Sequence, residues 1–307
     1  MLAILAPGQG AQTPGMLTAW LELPGVPEHL AQLSDAAELD LRTFGTVADA
    51  DQIRDTAVAQ PLIVATSLLA WSCLGKPVAD VAAGHSVGEI AAAVIAGVLT
   101  EADAMSLVHE RGMRMAQAAA QVATGMSAVL GGEGSGVVAK AEEYGLTPAN
   151  MNGAGQIVVA GTLEQLDFFA ADPPEGSRVR PLVVAGAFHT NHMQPAVGAL
   201  TDFAGTLTAT QPSTILLSNA DGCSITEGDV ALRRLIAQVS NPVRWDLCME
   251  MMISIGVTGV LELAPGGTLV GLAKRAMPGV ATVALKSPDD LQAARTLIAE
   301  HAGRVDE

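Results

Sequence analysis

The fold is best predicted from the stretch Val81-Ala82-Ala83-Gly84-His85-Ser86-Val87-Gly88-Glu89-Ile90-Ala91, which carries the pattern Gly-x-Ser-x-Gly. The pattern alone is weak in a glycine-rich chain, but here an apolar strand runs into Gly84 and a helix is predicted from Glu89 to about Val98. This strand–turn–helix setting is typical of a nucleophile elbow, with Ser86 at the helix N-terminus. Free N–H groups there favour developing negative charge. The alternative is that Ser86 only caps the helix.

Outside this stretch the chain repeats one pattern. A short apolar run ends at a glycine or asparagine, and an alanine-rich segment of helical length follows it. Strands that alternate with helices predict an α/β fold with a parallel sheet and helices on both of its faces. The runs lie at Met1–Pro7, Val78–Ala83, Ile215–Ser218 and Val257–Ala264.

A different pattern covers residues 124–189. It predicts two helices over a small, mostly antiparallel sheet, which resembles the ferredoxin-like βαββαβ unit. We therefore expect a small insert domain at 124–189 and a large α/β domain at 1–123 and 190–307, with the cleft at the seam between them. The predicted elements of the insert are a strand Met126–Leu130, a helix Gly136–Tyr144, strands around Gln156–Ala160, a helix Leu163–Ala170 and a strand Val179–Ala185.

Composition narrows the partners and the compartment. The 307 residues carry a net charge of −16, which argues against nucleic acid and anionic membrane as partners. Three widely spaced cysteines argue against a disulfide framework and a cysteine-based zinc site, and we expect no metal. No apolar run is judged to reach the roughly 18 uncharged residues of a membrane span. The apolar start, Met1–Pro7, lacks a basic region and is interpreted as a buried strand, so we expect a cytoplasmic protein.

His189 is the predicted base among six histidines. It follows the apolar run Leu182–Phe188 and precedes a helix, which predicts a place at the carboxyl end of a strand, where open α/β sheets build their sites. His192 is the rival, and His85 adjoins Ser86 but points a different way at a tight turn. A serine–histidine pair needs a group that orients the imidazole. No acid between Ser86 and His189 is singled out by its context, so the sequence does not show a full triad.

An arginine lies on the apolar face of a helix predicted from residue 101 to about residue 121. At 3.6 residues per turn, Arg111 falls among Leu107, Val108 and Met115. A guanidinium in apolar surroundings needs an anion to pair with. A buried structural ion pair and a substrate carboxylate held by two hydrogen bonds fit the spacing equally well.

These residues belong to a series of segments that resembles the malonyl-coenzyme A:acyl carrier protein transacylases of fatty acid synthesis. The likeness covers nearly the whole chain, and the segments follow the family's order, which makes the match far more specific than any single motif. It implies a hydrolase-like large domain, a ferredoxin-like insert and a Ser–His dyad, which would explain the absent acid. The segments are Pro7-Gly8-Gln9-Gly10-Ala11-Gln12, Ala59-Gln60-Pro61, Gly84-His85-Ser86-Val87-Gly88-Glu89, Arg111-Gly112, Gly125-Met126-Ser127-Ala128, Asn150-Met151-Asn152-Gly153-Ala154-Gly155-Gln156, Gly186-Ala187-Phe188-His189-Thr190 and Asn241-Pro242-Val243-Arg244-Trp245.

The resemblance implies roles for residues that spacing does not single out. The main-chain N–H groups of Gln9 and Val87 would form the oxyanion hole. Gln238 would orient the base through its main-chain carbonyl, so that its side chain would be dispensable. Arg111 would bind the free carboxylate of a malonyl group. The other substrate-binding residues would be Met126, Asn152, with Asn150 less directly implied, and Phe188, whose bulk would leave little room for a branched acyl chain.

The activity that the resemblance implies is transfer of malonyl from malonyl-coenzyme A to the phosphopantetheine thiol of a holo acyl carrier protein. It would proceed through an ester on Ser86, without a metal or organic cofactor, in a monomer that supplies the chain extender for fatty acid or polyketide synthesis. A serine esterase or lipase of the α/β-hydrolase type is the first alternative, and it would want a carboxylate third member. A non-catalytic module that binds a carrier protein is the second, and it would not need Ser86, His189 and Arg111 together.

Overall fold

Ten strands form two sheets in residues 1–303, which are the residues that the computed structural model describes. The central strands are short and buried along their whole length, as expected where helices cover both faces of a sheet. The strands are β1 Leu2–Ala6, β2 Val81–Gly84, β3 Thr124–Gly131, β4 Thr147–Gly153, β5 Gln156–Thr162, β6 Ser177–Pro181, β7 Ile215–Leu217, β8 Ser224–Ile225, β9 Gly259–Glu262 and β10 Ala281–Ala284.

Twelve α-helices are described in the same residues, and short 3-10 turns join several of them. The longest, α5, begins where the hydroxyl of Thr100 accepts a hydrogen bond from the N–H of Asp103 at 3.1 Å. The helices are α1 Val26–Ala36, α2 Leu41–Thr46, α3 Thr56–Cys73, α4 Gly88–Ile95, α5 Glu101–Ala119, α6 Gly134–Glu143, α7 Leu163–Ala171, α8 Gln194–Ala204, α9 Gly228–Ala237, α10 Trp245–Ser254, α11 Thr268–Ala276 and α12 Leu291–His301.

The large sheet has the strand order β10-β9-β1-β2-β7-β8. Its first five strands run parallel, so the predicted α/β fold is confirmed. One correction applies, because β8 pairs antiparallel with β7 at the edge and makes the sheet mixed. The six residues between Leu217 and Ser224 are too few for the crossover helix that a parallel neighbour requires.

The small sheet has the order β4-β5-β3-β6, and all of its neighbours pair antiparallel. Helices α6 and α7 supply Val137, Leu166 and Phe169 to a separate apolar core against it. The strands predicted around Gln156–Ala160 are β5, which covers that segment, and β4, which precedes it at Thr147–Gly153. One predicted strand needs correction, because the last strand is Ser177–Pro181 and not Val179–Ala185.

The small sheet is attached to the rest of the chain by backbone hydrogen bonds. Met151 N donates to Val243 O at 2.9 Å, and Val243 N donates to Ala149 O at the same distance. Val243, just before α10, thereby pairs with Asn150 of β4 in an isolated parallel bridge. The edge strand β4 is therefore held against the segment that follows α9.

The expectation that no uncharged apolar segment reaches about 18 residues is wrong. Helix α3 has 18 residues, no charged side chain and a mean hydropathy of 1.4, so by length and composition alone it is a candidate span. However, 72% of that window is buried inside the protein, and it packs mainly against α5. Core helices pass the same test of length and composition.

Two glycines let β1, β2 and α4 approach each other closely. A Cβ at Gly84 would lie 2.0 Å from the carbonyl carbon of Gly88, and one at Gly88 would lie 2.2 Å from Ala6 O. These contacts are with backbone atoms, which cannot move aside as a flexible side chain can. Residues 84–88 can therefore turn directly from β2 into α4 beneath the end of β1.

We predict that Gly88→Ala destabilises the fold by at least about 2 kcal/mol, because the new methyl group overpacks against main chain. Gly198→Ala, in the middle of α8, is the matched control, since a Cβ there meets no atom within 4 Å. That variant should gain about 0.5–1 kcal/mol, the usual difference between alanine and glycine in a helix. Urea denaturation of both variants measures these changes, and equal stabilities would contradict the close approach.

Candidate active site

Ser86 lies at the turn between β2 and α4 with a positive φ of 52°. This left-handed conformation is uncommon for a residue other than glycine and marks a constrained turn. Two contacts hold the turn: His85 N donates to Ala6 O at 3.0 Å, and Ser86 N donates to the side-chain oxygen of Asn219 at 2.8 Å. The hydroxyl is thereby presented above the carboxyl ends of β1 and β2, the geometry of a nucleophile elbow.

The hydroxyl of Ser86 lies 2.7 Å from Nε2 of His189. The other ring nitrogen, Nδ1, lies 2.8 Å from the main-chain oxygen of Gln238. A carbonyl only accepts hydrogen bonds, so the proton of a neutral ring sits on Nδ1 and leaves Nε2 free to take the serine proton. No carboxylate is needed to fix this tautomer.

His189 is buried, and this burial lowers the pKa of its imidazole to about 3. The positive charge of Arg111 acts in the same direction, while the hydrogen bond from Nδ1 to Gln238 O opposes both. The imidazole is therefore neutral at physiological pH and is available as a base.

The position of His189 differs from the predicted end of a strand. Strand β6 ends at Pro181, one further hydrogen bond runs from Leu182 N to Met126 O at 2.9 Å, and the segment up to residue 188 is irregular and belongs to no strand of the large sheet. His189 has a positive φ of 61°, and its N–H donates to Val239 O at 3.1 Å. The 3-10 turn Gln238–Ser240 therefore holds both the backbone and the ring of His189. The side chain of the rival, His192, has no hydrogen-bond partner within residues 1–303.

Gln9, which follows β1, and Val87, which precedes α4, both line the same cavity as Ser86. Neither main-chain N–H has a backbone or side-chain acceptor among the described residues, so both are available to a substrate oxygen. Their role as an oxyanion hole, which the resemblance implies, stays a prediction.

Arg111 is 2% exposed and donates to two side-chain amide oxygens, those of Gln60 at 2.6 Å and Gln238 at 2.8 Å. Its Nη2 also lies 3.5 Å from the hydroxyl of Ser86. Burial lowers the pKa of Arg111 to about 10, which still leaves it charged at neutral pH. No carboxylate lies within ion-pairing distance of it in the described part of the chain, whereas Arg114 on the same helix pairs with Glu110 at 2.7 Å. The buried ion pair considered from the sequence is thus not formed.

A cavity of about 230 Å³ lies between the two sheets, and Gln60 is part of its lining. The predicted binding residues Met126, Asn152 and Phe188 all line it, together with Ser86 and His189. The side-chain oxygen of Asn152 accepts a hydrogen bond from Nε2 of His85 at 2.8 Å, so it joins β4 to the elbow. The further apolar lining, which sequence reasoning did not single out, comes from Met115, Leu182, Val184 and Leu272.

Sequence reasoning also missed a set of buried polar side chains beneath the site. Gln60, Glu89 and Asn219 are each less than a tenth exposed. The expectation that the Gln238 side chain is dispensable does not fit the contacts, because that side chain bonds Arg111, Glu89 and Ser86 O. Gln60 and Glu89 stand inside quoted motifs and Asn219 ends an apolar run, which were the available signals.

No group of three or more histidine, cysteine or acidic side chains in residues 1–303 is arranged to hold a metal ion. The cavity is instead lined by a serine and a histidine that bond each other, and the buried Arg111 lies 3.5 Å from the serine hydroxyl. A serine hydroxyl bonded to a neutral imidazole is the arrangement that acyl transfer requires. Fold and site together define an α/β serine acyltransferase.

Comparison with known proteins places the chain more narrowly. Residues 5–294 match the family model described as an acyl transferase domain. The malonyl CoA-acyl carrier protein transacylase of Mycobacterium tuberculosis is 51% identical over 298 residues, which cover 95% of this chain and 98% of that protein. The crystal structure of MCAT from the same organism matches with a TM-score of 0.93 at 50% identity, covering 96% and 99% of the two chains. The chain belongs to the malonyl-CoA:acyl carrier protein transacylase family.

A more distant structure is also informative, because it contains a partner. It is a malonyl-transacylase in complex with its holo acyl-carrier protein from a type II polyketide synthase. It matches with a TM-score of 0.90 at 29% identity and covers 96% of this chain and 99% of its own.

The low pKa of His189 predicts the pH dependence of Ser86 reactivity. The neutral imidazole is the active form and persists as the pH falls to about 3, so reactivity should not decline around 6.5, the ordinary histidine value. The measurement is the rate of Ser86 modification by a fluorophosphonate between pH 5 and 8, followed by mass spectrometry. A midpoint near 6.5 would contradict the buried, neutral base.

Proposed function

We propose that this protein transfers a malonyl group from malonyl-coenzyme A to the phosphopantetheine thiol of a holo acyl carrier protein, through an ester on Ser86. The observation that carries the proposal is a charged, buried guanidinium, Arg111, which lies 3.5 Å from the nucleophile and has no carboxylate partner within residues 1–303. Malonyl carries a free carboxylate one methylene group away from its thioester carbonyl, so one molecule can engage both the hydroxyl and the guanidinium.

The first half-reaction loads the enzyme. His189 Nε2 takes the proton of Ser86 as Oγ attacks the thioester carbonyl carbon, and a carbon–oxygen bond forms. The tetrahedral oxyanion accepts hydrogen bonds from the N–H groups of Gln9 and Val87, each contributing on the order of 3 kcal/mol. The carbon–sulfur bond then breaks, and the coenzyme A thiolate takes the proton back from His189.

The second half-reaction reverses these roles. The phosphopantetheine thiol gives its proton to His189, and its sulfur attacks the carbonyl carbon of the malonyl ester. The same two N–H groups stabilise the oxyanion. When the bond to Ser86 breaks, the serine oxygen recovers the proton from His189, and the enzyme returns to its starting state.

The architecture supports this scheme. We propose that residues 1–123 and 190–307 form a hydrolase-like large domain and that 124–189 form a ferredoxin-like insert, since the βαββαβ order and the separate core of that segment fit such a unit. The large domain supplies Ser86, Arg111 and the carbonyl of Gln238 that orients His189. The insert supplies Met126 and Asn152. The substrate is thus bound at the seam.

We propose, as the sequence predicts, that the protein is a cytoplasmic monomer that supplies the chain extender for fatty acid synthesis. The polyketide alternative is favoured by the relative that was solved with a type II polyketide carrier protein. An esterase is disfavoured, because the base is oriented by a main-chain carbonyl and a charged guanidinium lies 3.5 Å from the nucleophile.

Arg111→Ala tests the choice of substrate. Malonyl pairs with the guanidinium and acetyl does not, so the wild type should favour malonyl-coenzyme A over acetyl-coenzyme A by on the order of 2–5 kcal/mol in the barrier. The variant should lose malonyl transfer, while acetyl transfer holds or rises because the unpaired buried charge is gone.

The measurement is kcat/KM for both thioesters, with Arg114→Ala as the matched control on the same helix. Arg114 pairs with Glu110 and is partly exposed, so its loss should leave the ratio of the two substrates unchanged. If Arg111→Ala lowers both substrates by one factor, the guanidinium is only structural and the proposed substrate is wrong.

A further inference from the structure

The side chain of Gln238 lies between two buried charged groups. Its Oε1 accepts a hydrogen bond from Nη2 of Arg111 at 2.8 Å, and its Nε2 donates to Oε2 of Glu89. Gln238 is 5% exposed and Glu89 is 4% exposed, so water does not compete for these contacts. Arg111 and Glu89 do not pair directly, and the amide is their link.

The polarity of the amide is set by its two neighbours. A guanidinium only donates hydrogen bonds, so the amide oxygen must face Arg111. The amide nitrogen, which only donates, must then face an acceptor, and the carboxyl group of Glu89 provides it. The other oxygen of Glu89 accepts from the N–H of Asn219 at 2.5 Å. Both carboxyl oxygens therefore accept, the pattern of an ionised carboxylate.

Glu89 is placed to do this by the elbow itself. It lies three residues after Ser86, in the first turn of α4, with its side chain directed under the nucleophile. Burial raises the pKa of Glu89, whereas the hydrogen bond from Asn219 N, the charge of Arg111 and the hydrogen bond from Gln238 all lower it and favour the ionised form. A carboxyl group held in so unfavourable a place needs compensating contacts, and the two donors supply them.

The same amides also hold the backbone around the nucleophile. Gln238 Nε2 lies 3.2 Å from Ser86 O, and the side-chain oxygen of Asn219 accepts from Ser86 N. Asn219 Nδ2 donates to Gly84 O at 2.8 Å. Gln238 and Asn219, which make these contacts, are also the two residues that donate hydrogen bonds to Glu89.

We propose that Glu89 is a positioning residue for substrate selection: it orients the Gln238 amide so that its oxygen holds the Arg111 guanidinium beside Ser86. Without the acceptor at position 89, Nε2 of Gln238 retains only the more distant acceptors Ser86 O and Asn219 Oδ1, both at 3.2 Å. The amide then holds its oxygen towards Arg111 less firmly, and one of the two supports of the guanidinium is weakened. The inference rests on the proposed function, in which Arg111 binds the malonyl carboxylate.

Glu89→Gln tests the proposal with little change of shape. One end of the new amide is a donor, and it faces the donor of either Gln238 or Asn219. When Gln238 turns over in response, its Nε2 faces Arg111. The ratio of kcat/KM for malonyl-coenzyme A to that for acetyl-coenzyme A should then fall about tenfold or more, the loss expected for a hydrogen bond to a charged group.

Glu262→Gln is the matched control. Glu262 is also fully buried, and its oxygens accept from the N–H groups of Gly267, Leu269 and Val270, so the new amide creates the same donor conflict. It contacts neither Gln238 nor Arg111. Thermal stability should fall in both variants, but the substrate ratio of Glu262→Gln should stay within about twofold of the wild type. If Glu89→Gln keeps the wild-type ratio, the proposal is wrong.

A second variant keeps the test decisive should Glu89→Gln fail to fold. Gln238→Met keeps the main-chain carbonyl that orients His189 but removes the amide, so the substrate ratio must fall in it too. In the double variant the ratio should match that of Gln238→Met alone, because the link is already broken. Losses that multiply, or an unchanged ratio in Gln238→Met, would overturn the role of Glu89. A wild type that shows no preference for malonyl would instead refute the proposed function.

Discussion

The charge of Arg111 is the feature around which the site is organised. A guanidinium removed from water is costly unless its donors are satisfied, and within residues 1–303 they meet two amide oxygens and the nucleophile, but no anion. The amides hold the cation in place without neutralising its charge. In the proposed function, the carboxylate of the acyl group completes the pairing.

The same charge also shapes the chemistry of the base. It disfavours a second positive charge nearby, and together with burial it keeps His189 neutral until a proton is transferred from Ser86. In the proposed mechanism, the proton arrives as negative charge develops on the substrate oxygen, which the N–H groups of Gln9 and Val87 would stabilise. A single carbonyl, that of Gln238, is enough to orient the ring, because the imidazole is already fixed by burial and by its backbone contact to Val239.

Much of the large fold and the identity of the main site residues could be predicted from the sequence. The strands Leu2–Ala6 and Val81–Gly84 are buried along their whole length, so they appear in the sequence as continuous apolar runs that predict parallel strands. The glycine pattern marks the turn after the second strand. The segment before His189 shows where such reasoning stops. Three of its apolar residues, Leu182, Val184 and Phe188, line the cavity and form no strand, and periodicity alone does not separate these cases.

The polar layer beneath the nucleophile was beyond prediction for a physical reason. Gln60, Asn219 and Gln238 come from three distant parts of the chain, and their roles depend on which atom of an amide faces which neighbour. Composition and spacing carry no information about that choice. It becomes visible only when the fold brings a donor-only arginine and an acceptor-only carboxylate to opposite ends of one amide.

The most direct test of this account is the covalent intermediate itself. The protein is mixed with malonyl-coenzyme A, quenched in acid and digested, and the modified peptide is identified by mass spectrometry. The account predicts one malonyl group on the hydroxyl of Ser86, and none in Ser86→Ala, which should keep its fold because the hydroxyl supports no backbone contact. A malonyl group on another residue, or continued acylation of Ser86→Ala, would contradict it.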